Sequence, residues 1–552
     1  MADRLLDAPA VLGGRLALSE RALALGRALP FLAFGAAALA VLFVHLPVLR
    51  DHYFFGDDFV PLADIASRST PAYIKDLLLL RDETPNWRFL TGLFYLGAYR
   101  AFGLNELPFL LASLLVHIGT AGLIFWFVRR ALDAVWPAFL AASFFGLSAA
   151  PAPTVGQVTA FNNVLGGFLL MLAVVALDEG LRRDRVLPWL AGATVAFGAA
   201  LAANESVAVL TPVFPLLALW RASESRGSWR DSRELARLAV VSTPFVVIGV
   251  AALGALGACG CTSAASDGNF GVGAHLVDNL WIYLGRLLYP VGMEPLGNVG
   301  TAHLVAGITV AAIAVAALAR GPMLARFAVI FLALALVPYL PLKLWSAPRY
   351  VYLASIPFSI LAAVAFAEVA RYGRRLTPLL PAALAAVAFG VLALYSWQTW
   401  SQNESYAAET KPWRSFVAAL RETYPELPEG STVYVLGSEL SDPLLQCVVM
   451  PATGEVLWGG GTRLFTFLPA DIAAYRAAPG APVFVANAAS DRLAPLTVPV
   501  ASQDELARSD VPLLPHVAPG VTGNLCLPDE AQSSTVRERW ASMDSFTATG
   551  RF

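Results

Sequence analysis

The feature that most constrains this chain is a succession of apolar runs, each about 15 to 22 residues long, with arginines gathered in alternate connections. A run near 20 residues is long enough, as a helix, to cross a hydrocarbon core of ~30 Å. The runs lie at Leu29–Leu49, Leu107–Val128, Ala131–Ala149, Val158–Leu177, Val186–Ala203, Ser206–Trp220, Leu238–Ala258, Leu304–Leu318, Leu324–Leu340, Tyr350–Ala370 and Leu376–Trp397. They predict eleven helices. The stretch Val186–Trp220 reads either as two short helices meeting near Asn204 and Glu205 or as a re-entrant pair.

The charges test that count. Alternate connections hold Arg129 and Arg130, then Arg182, Arg183 and Arg185, then the cluster from Arg221 to Arg237, then Arg320 and Arg326, then Arg371, Arg374 and Arg375. The intervening connections, such as Ala150–Gln157, are almost free of basic residues. Cytoplasmic connections are the ones enriched in Lys and Arg, so the N-terminus is expected inside and the C-terminal tail outside. Composition agrees, with 57% hydrophobic and 14% charged residues, against ~45–50% and ~25% for soluble domains. A net charge of −2 without a basic tract gives no sign of a nucleic-acid partner, and none is expected. The basic residues are almost all Arg, with Lys only at Lys75, Lys343 and Lys411. Together with the abundance of Ala, this points to a high-GC, bacterial source and a multi-pass protein of the inner membrane.

The expected organisation is a cytoplasmic arm over 1–28, a transmembrane domain over 29–400 with a long outer loop at 50–106, and a soluble domain over 401–552. In the last part, strand-like pieces (Thr432–Leu436, Pro482–Ala486) alternate with helix-like ones (Trp413–Thr423), predicting a small extracytoplasmic α/β domain. Cys259 and Cys261, and Cys447 and Cys526, all fall on the outer side, where disulfides form. Spacing alone leaves the pairing open, and two thiols without further ligands are a poor metal site.

The outer loop holds the first candidates for chemistry. It opens DHYFFGDDFVPLADI, with Asp57 and Asp58 set among Phe54, Phe55 and Phe59 at the membrane interface. An apolar setting and a neighbouring like charge both raise a carboxylate's pKa, towards a value useful for a general base. The pair is also compatible with solvated acids at a helix end, or with a divalent cation. Arg349, in LKLWSAPRYVYLASIP, has Lys343 before it and Tyr350 beside it. Such residues anchor helices to headgroups, or hold a phosphate through paired hydrogen bonds with Lys343 adding a point charge. Glu205, in ALAANESVAVLTP, is a carboxylate between apolar runs, costly unless paired or wetted. Trp87 and Arg88 in the loop, and His117 on the second span, complete the candidates; His117 reads as a packed histidine bonded to a neighbouring helix.

An acid pair after the first span, an Arg-bearing loop segment (NWRFLTGLFYLGAYRAFGL) and a second span with a late His (LLASLLVHIGTAGLIFWFVRR) come in that order. Together with APRYVYLASIPFSI and ANESVAVLTPVFPLLAL, this pattern resembles the GT-C superfamily of polyprenyl-phosphate-dependent glycosyltransferases. The nearest likeness is to bacterial relatives of the protein O-mannosyltransferases. The resemblance covers about the first 375 residues by pattern more than identity. It implies Asp57 or Asp58 as the base, Arg349 as a phosphate contact and a polyprenyl-phosphate sugar as donor, with no cofactor required. Where those relatives carry a His- and Glu-bearing stretch, this chain has the uncharged SAAPAPTVGQV, and Asn204 stands where they have Lys. The acceptor is therefore open among glycan, lipid and protein. Two further readings stay open: a transporter or flippase of a lipid-linked glycan, for which inverted repeats are expected and none is visible, and a non-catalytic receptor or assembly factor.

Overall fold

A computed structural model of the chain describes residues 12–79, 88–183, 186–226, 232–259, 271–290, 300–343, 347–377, 379–436, 449–465, 483–489 and 492–495. The first half is a run of helices: α1 Leu12–Val44, α2 Leu46–Asp51, α3 Phe59–Ala66, α4 Thr70–Leu79, α5 Phe89–Phe102, α6 Leu107–Leu132, α7 Val135–Leu147, α8 Ala152–Gly156 and α9 Phe161–Leu181. It continues with α10 Val186–Ala203, α11 Val213–Arg226, α12 Ser232–Cys259, α13 His275–Leu288, α14 Thr301–Arg320, α15 Met323–Leu336, α16 Tyr352–Leu376, α17 Leu380–Thr423 and α18 Met450–Trp458.

Among the described residues, eight helical stretches are long and apolar enough to cross a membrane. Three shorter apolar helices, Ala28–Val44, Val135–Leu147 and Met323–Tyr339, occupy the remaining positions expected from the sequence. The protein is thus a polytopic helical membrane protein. Between Val186 and Trp220 the chain forms two helical stretches that meet at Asn204. Pro47, near the start of α2, has no N–H to continue the ladder of α1, and the axis breaks at His45 just before the acid-bearing loop.

The core is built where α9 packs on α6 and α10, and where α16 packs on α7 and α15. Phe127, Phe145, Phe197, Phe214, Phe245, Phe331 and Tyr352 are fully buried there. Close approach is needed at Gly166, where an added Cβ would fall 2.8 Å from the Cβ of Asn204, in keeping with small residues at helix contacts within membranes. At the end of α9 remote from the acid loop, two buried carboxylates tie four arginines together. Asp178 pairs with Arg182 at 2.9 Å and with Arg221. Glu179 pairs with Arg130 at 3.0 Å and Arg183 at 3.1 Å and accepts from the Trp126 indole at 3.2 Å.

The sequence-based boundary at 401 falls inside α17, which runs unbroken from Leu380 to Thr423. No Gly or Pro interrupts it near 401, so the change from apolar to polar composition there changes the surroundings of the helix and not its backbone. Beyond it lies a four-stranded sheet made of β1 Thr432–Leu436, β2 Arg463–Phe465, β3 Val483–Ala489 and β4 Arg492–Pro495, in the order β2-β1-β3-β4. β1 pairs in parallel with both β2 and β3, and β4 runs antiparallel to β3. Helix α18 joins this sheet region to the rest by packing on α3, directly after the acid pair, and the Trp458 indole donates to the Tyr424 carbonyl at 2.7 Å.

Candidate active site

After α2 the chain runs extended through His52–Phe55 and then makes a single tight 3-10 turn over Gly56–Asp58. The turn places Gly56 at φ +57°, a conformation open to glycine at little cost. Phe54 and Phe59 are fully buried on either side, against Phe109 and Trp413. Their burial carries Asp58 inward with them. Its carboxylate closes the turn by accepting the Phe55 N–H at 3.2 Å, and it also accepts the Thr159 N–H at 2.8 Å and the Thr159 hydroxyl at 3.0 Å. Burial, and then the negative charge of Asp57, push Asp58 up to about 7; the bonds from Thr159 and Phe55 pull the other way.

Asp57 is the accessible member of the pair, its side chain 42% exposed. One carboxylate oxygen accepts from the Gln157 amide at 3.0 Å, and the other lies 3.3 Å from the Arg349 guanidinium. The Gln157 carbonyl oxygen in turn accepts from Arg349 at 3.4 Å, closing a three-membered cluster. Arg349 sits in a short turn, Pro348–Val351, that leads into α16. Its guanidinium lies 5.7 Å from the Tyr350 ring centroid, and Tyr350 stacks on Tyr339 at 4.9 Å.

A second ion pair lies next to this cluster. Arg88, at the start of α5, grips Glu205 with two bonds of 3.0 and 2.7 Å. Glu205 opens a short turn capped by Asn204, whose side chain accepts the Ser206 N–H at 3.0 Å and donates to Asn163 at 3.0 Å. The charges of Arg88 and Arg349 act on each other. Tyr95, buried on α5, donates its hydroxyl to the Val158 carbonyl at 2.7 Å. Tyr406, on α17, lies within electrostatic reach of Asp57, Asp58 and Arg349.

The fold therefore brings together Asp57, Asp58, Arg349 and Tyr350, with Arg88 and Glu205 adjoining them. Lys343 is exposed and its side chain lies over Gly271. His117 is fully buried inside the bundle, 3.0 Å from the Tyr352 hydroxyl and packed on Phe145. It stands ten residues into α6, roughly 15 Å along the axis from the loop. Trp87, Cys261, Cys447, Cys526 and the side chain of Cys259 lie outside the described residues. Among the described residues, no group of three or more His, Cys, Asp or Glu is placed to hold a metal ion.

Gln157 and Thr159 are the site residues that sequence reasoning missed. Gln157 lies in the stretch that carries no charge and Thr159 at the start of the expected fourth run, where an amide and a hydroxyl look like ordinary turn residues. The usable signal was position: Ala150–Gln157 lies on the same expected side of the membrane as the acid loop.

No protein-family model matches the chain, and no curated protein matches it. Among solved structures it is similar to ArnT from Cupriavidus metallidurans bound to undecaprenyl phosphate, with 16% identity and a TM-score of 0.46, over 83% of this chain and 92% of that one. It is also similar to the archaeal oligosaccharyltransferase AglB from Archaeoglobus fulgidus in complex with an inhibitory peptide and a dolichol-phosphate, with 11% identity and a TM-score of 0.48. That likeness covers 80% of this chain and 65% of AglB. At these scores the likenesses assign no activity to this chain.

Proposed function

We propose that the chain is a membrane glycosyltransferase of the GT-C type, moving a sugar from a polyprenyl-phosphate donor to an acceptor hydroxyl with inversion. The reading places it in a bacterial inner membrane, with the N-terminus in the cytoplasm and the sheet domain outside. The observation that carries it is the Asp57–Gln157–Arg349 cluster. It joins a carboxylate and a guanidinium that lie 292 positions apart in the chain, at the two places where the sequence resembles that superfamily.

The division of labour follows from exposure. Asp58 is buried and already accepts three hydrogen bonds. Asp57 is the carboxylate an acceptor can reach, so Asp57 is the base. A donor phosphate entering between the two groups takes the guanidinium of Arg349 in place of Asp57. As the bond from anomeric carbon to phosphate oxygen breaks, a second negative charge grows on the phosphate, and Arg349 opposes it. The acceptor oxygen attacks from the other face, its proton passes to Asp57, and Asp57 later gives it to water. Glu205 holds Arg88 beside the same space, where it adds positive potential. Tyr350 orients Arg349, and Lys343 adds a point charge at longer range.

The test is native mass spectrometry of the detergent-purified protein beside Arg349→Ala. A glycosyl polyprenyl phosphate bound to the wild type and lost from the variant supports the reading and gives the mass class of the sugar. Bulk phospholipid alone, equal in both, sinks it.

A further inference from the structure

Three segments that are distant in sequence meet at the imidazole of His52, five residues before Asp57. Nε2 is 2.7 Å from the carbonyl oxygen of Gly156, the residue before Gln157. Nδ1 is 3.0 Å from the hydroxyl of Thr410 on α17. The Gly156 carbonyl can only accept, so Nε2 carries the proton and Nδ1 is left as an acceptor; the Thr410 hydroxyl, which also reaches the Ala407 carbonyl at 3.1 Å, shares its one proton between that carbonyl and Nδ1. Burial, and then the positive charge of Arg414, hold His52 down to about 3, so the ring stays in this neutral form at working pH.

The surrounding groups reinforce the join. Thr410 also accepts the backbone N–H of Tyr53 at 3.1 Å. One turn further along α17, Arg414 donates to the His52 carbonyl at 2.8 Å and pairs with Glu106. One turn earlier, Tyr406 lies against the imidazole, with ring centroids 4.7 Å apart, and covers Gly156. Trp413 packs on Phe55 and Phe59, the aromatic residues that flank the acid pair, at 5.7 and 6.1 Å.

We propose that His52 is a positioning residue. Its imidazole pins the acid-bearing loop to α17 on one side and to the Gly156–Gln157 backbone on the other, and so holds Asp57, Gln157 and Arg349 in register. Neither nitrogen touches substrate. The importance given to this register rests on the transferase reading above; the pinning itself does not.

The test is hydrogen exchange on the full chain in nanodiscs, comparing wild type with His52→Phe, Thr410→Val and His52→Gln. Loss of one or two buried hydrogen bonds speeds local opening by about tenfold. The amides of Phe54–Phe59 are therefore expected to exchange about tenfold faster in His52→Phe and in the near-isosteric Thr410→Val. Gln carries on one amide a donor for Gly156 and an acceptor for Thr410, so His52→Gln should stay within about twofold of wild type, with the global unfolding midpoint unchanged. Undecaprenyl phosphate, used as the probe, should bind about tenfold more weakly to His52→Phe and Thr410→Val than to His52→Gln. Wild-type exchange in both loosening variants overturns the proposal, and so does equal loosening in His52→Gln and His52→Phe. If the wild type binds no undecaprenyl phosphate, the transferase reading fails and the exchange result still decides the pin.

Discussion

The two ends of α9 show two ways of placing carboxylates beside arginines. At one end, Asp178 and Glu179 are 3% and 4% exposed, and each is held by two arginines. At the other, about 30 Å away along the 21-residue helix, Asp57 is half-exposed and meets a single guanidinium at the long distance of 3.3 Å. In the first arrangement both carboxylates are buried and fully bonded. The second is loose, braced by a neutral amide, and open to an incoming anion. Saturation holds helices together, whereas incomplete pairing leaves a charge free to change partners.

The largest effect that separates the two ends is on chemistry. Asp57→Asn is expected to cut transfer by about 10³-fold with the thermal midpoint unchanged, and full activity in this variant would remove Asp57 as the base. Asp178→Ala should act in the reverse way. Removing one partner of a buried pair costs about 3–5 kcal/mol, visible as a lower unfolding midpoint in detergent, while turnover per folded molecule stays near wild type. If Asp178→Ala instead abolishes turnover in folded protein, the contrast between the two ends collapses.

A third effect depends on pH. Asp58 binds its proton more tightly when folded than its ordinary value of 3.8 allows when unfolded, being pushed up to about 7. Between those values the folded state holds the extra proton, so stability falls as pH rises from about 4 to about 7, by at most ~1.4 kcal/mol per pH unit. Asp58→Asn mimics the protonated acid and should flatten that slope; an unchanged slope would show that other groups set it. Smaller again is Gln157→Ala, expected to weaken donor binding or turnover by about tenfold through loss of the brace. Smallest is Lys343→Ala, which should change donor affinity by less than about twofold, since one exposed charge contributes little. A tenfold loss there would make Lys343 a direct phosphate contact.

The membrane architecture was legible because hydrocarbon enforces it: the apolar runs fall on the candidate spans, while α1 begins and α17 ends well outside their runs and α13 was not anticipated, and the β1 strand coincides with its alternating stretch. Asp57 and Arg349 were legible for a related reason, since charges at a membrane edge stand out. What could not be read is who meets whom. Arg88 and Glu205 are 117 positions apart, and neither carries a local sign of the other. Gln157 and Thr159 are uncharged, and their value comes only from the turn that aims them at the acids. The continuation of α17 past 401 was hidden because the expected boundary followed composition, and composition marks the surroundings of a helix more faithfully than its end.

That unbroken helix has a consequence for length variation. Each α-helical residue turns the chain by about 100° and advances it ~1.5 Å. Inserting a single residue between 400 and 405 would leave both flanks helical, yet it would swing Tyr406, Thr410 and Arg414 away from the loop they grip. The helix behaves as a threaded shaft, in which spacing and rotation cannot be adjusted separately. Only insertions close to whole turns, near seven or eleven residues, would return those side chains to the loop side, and they would lift the sheet region by ~10 to 17 Å relative to α3.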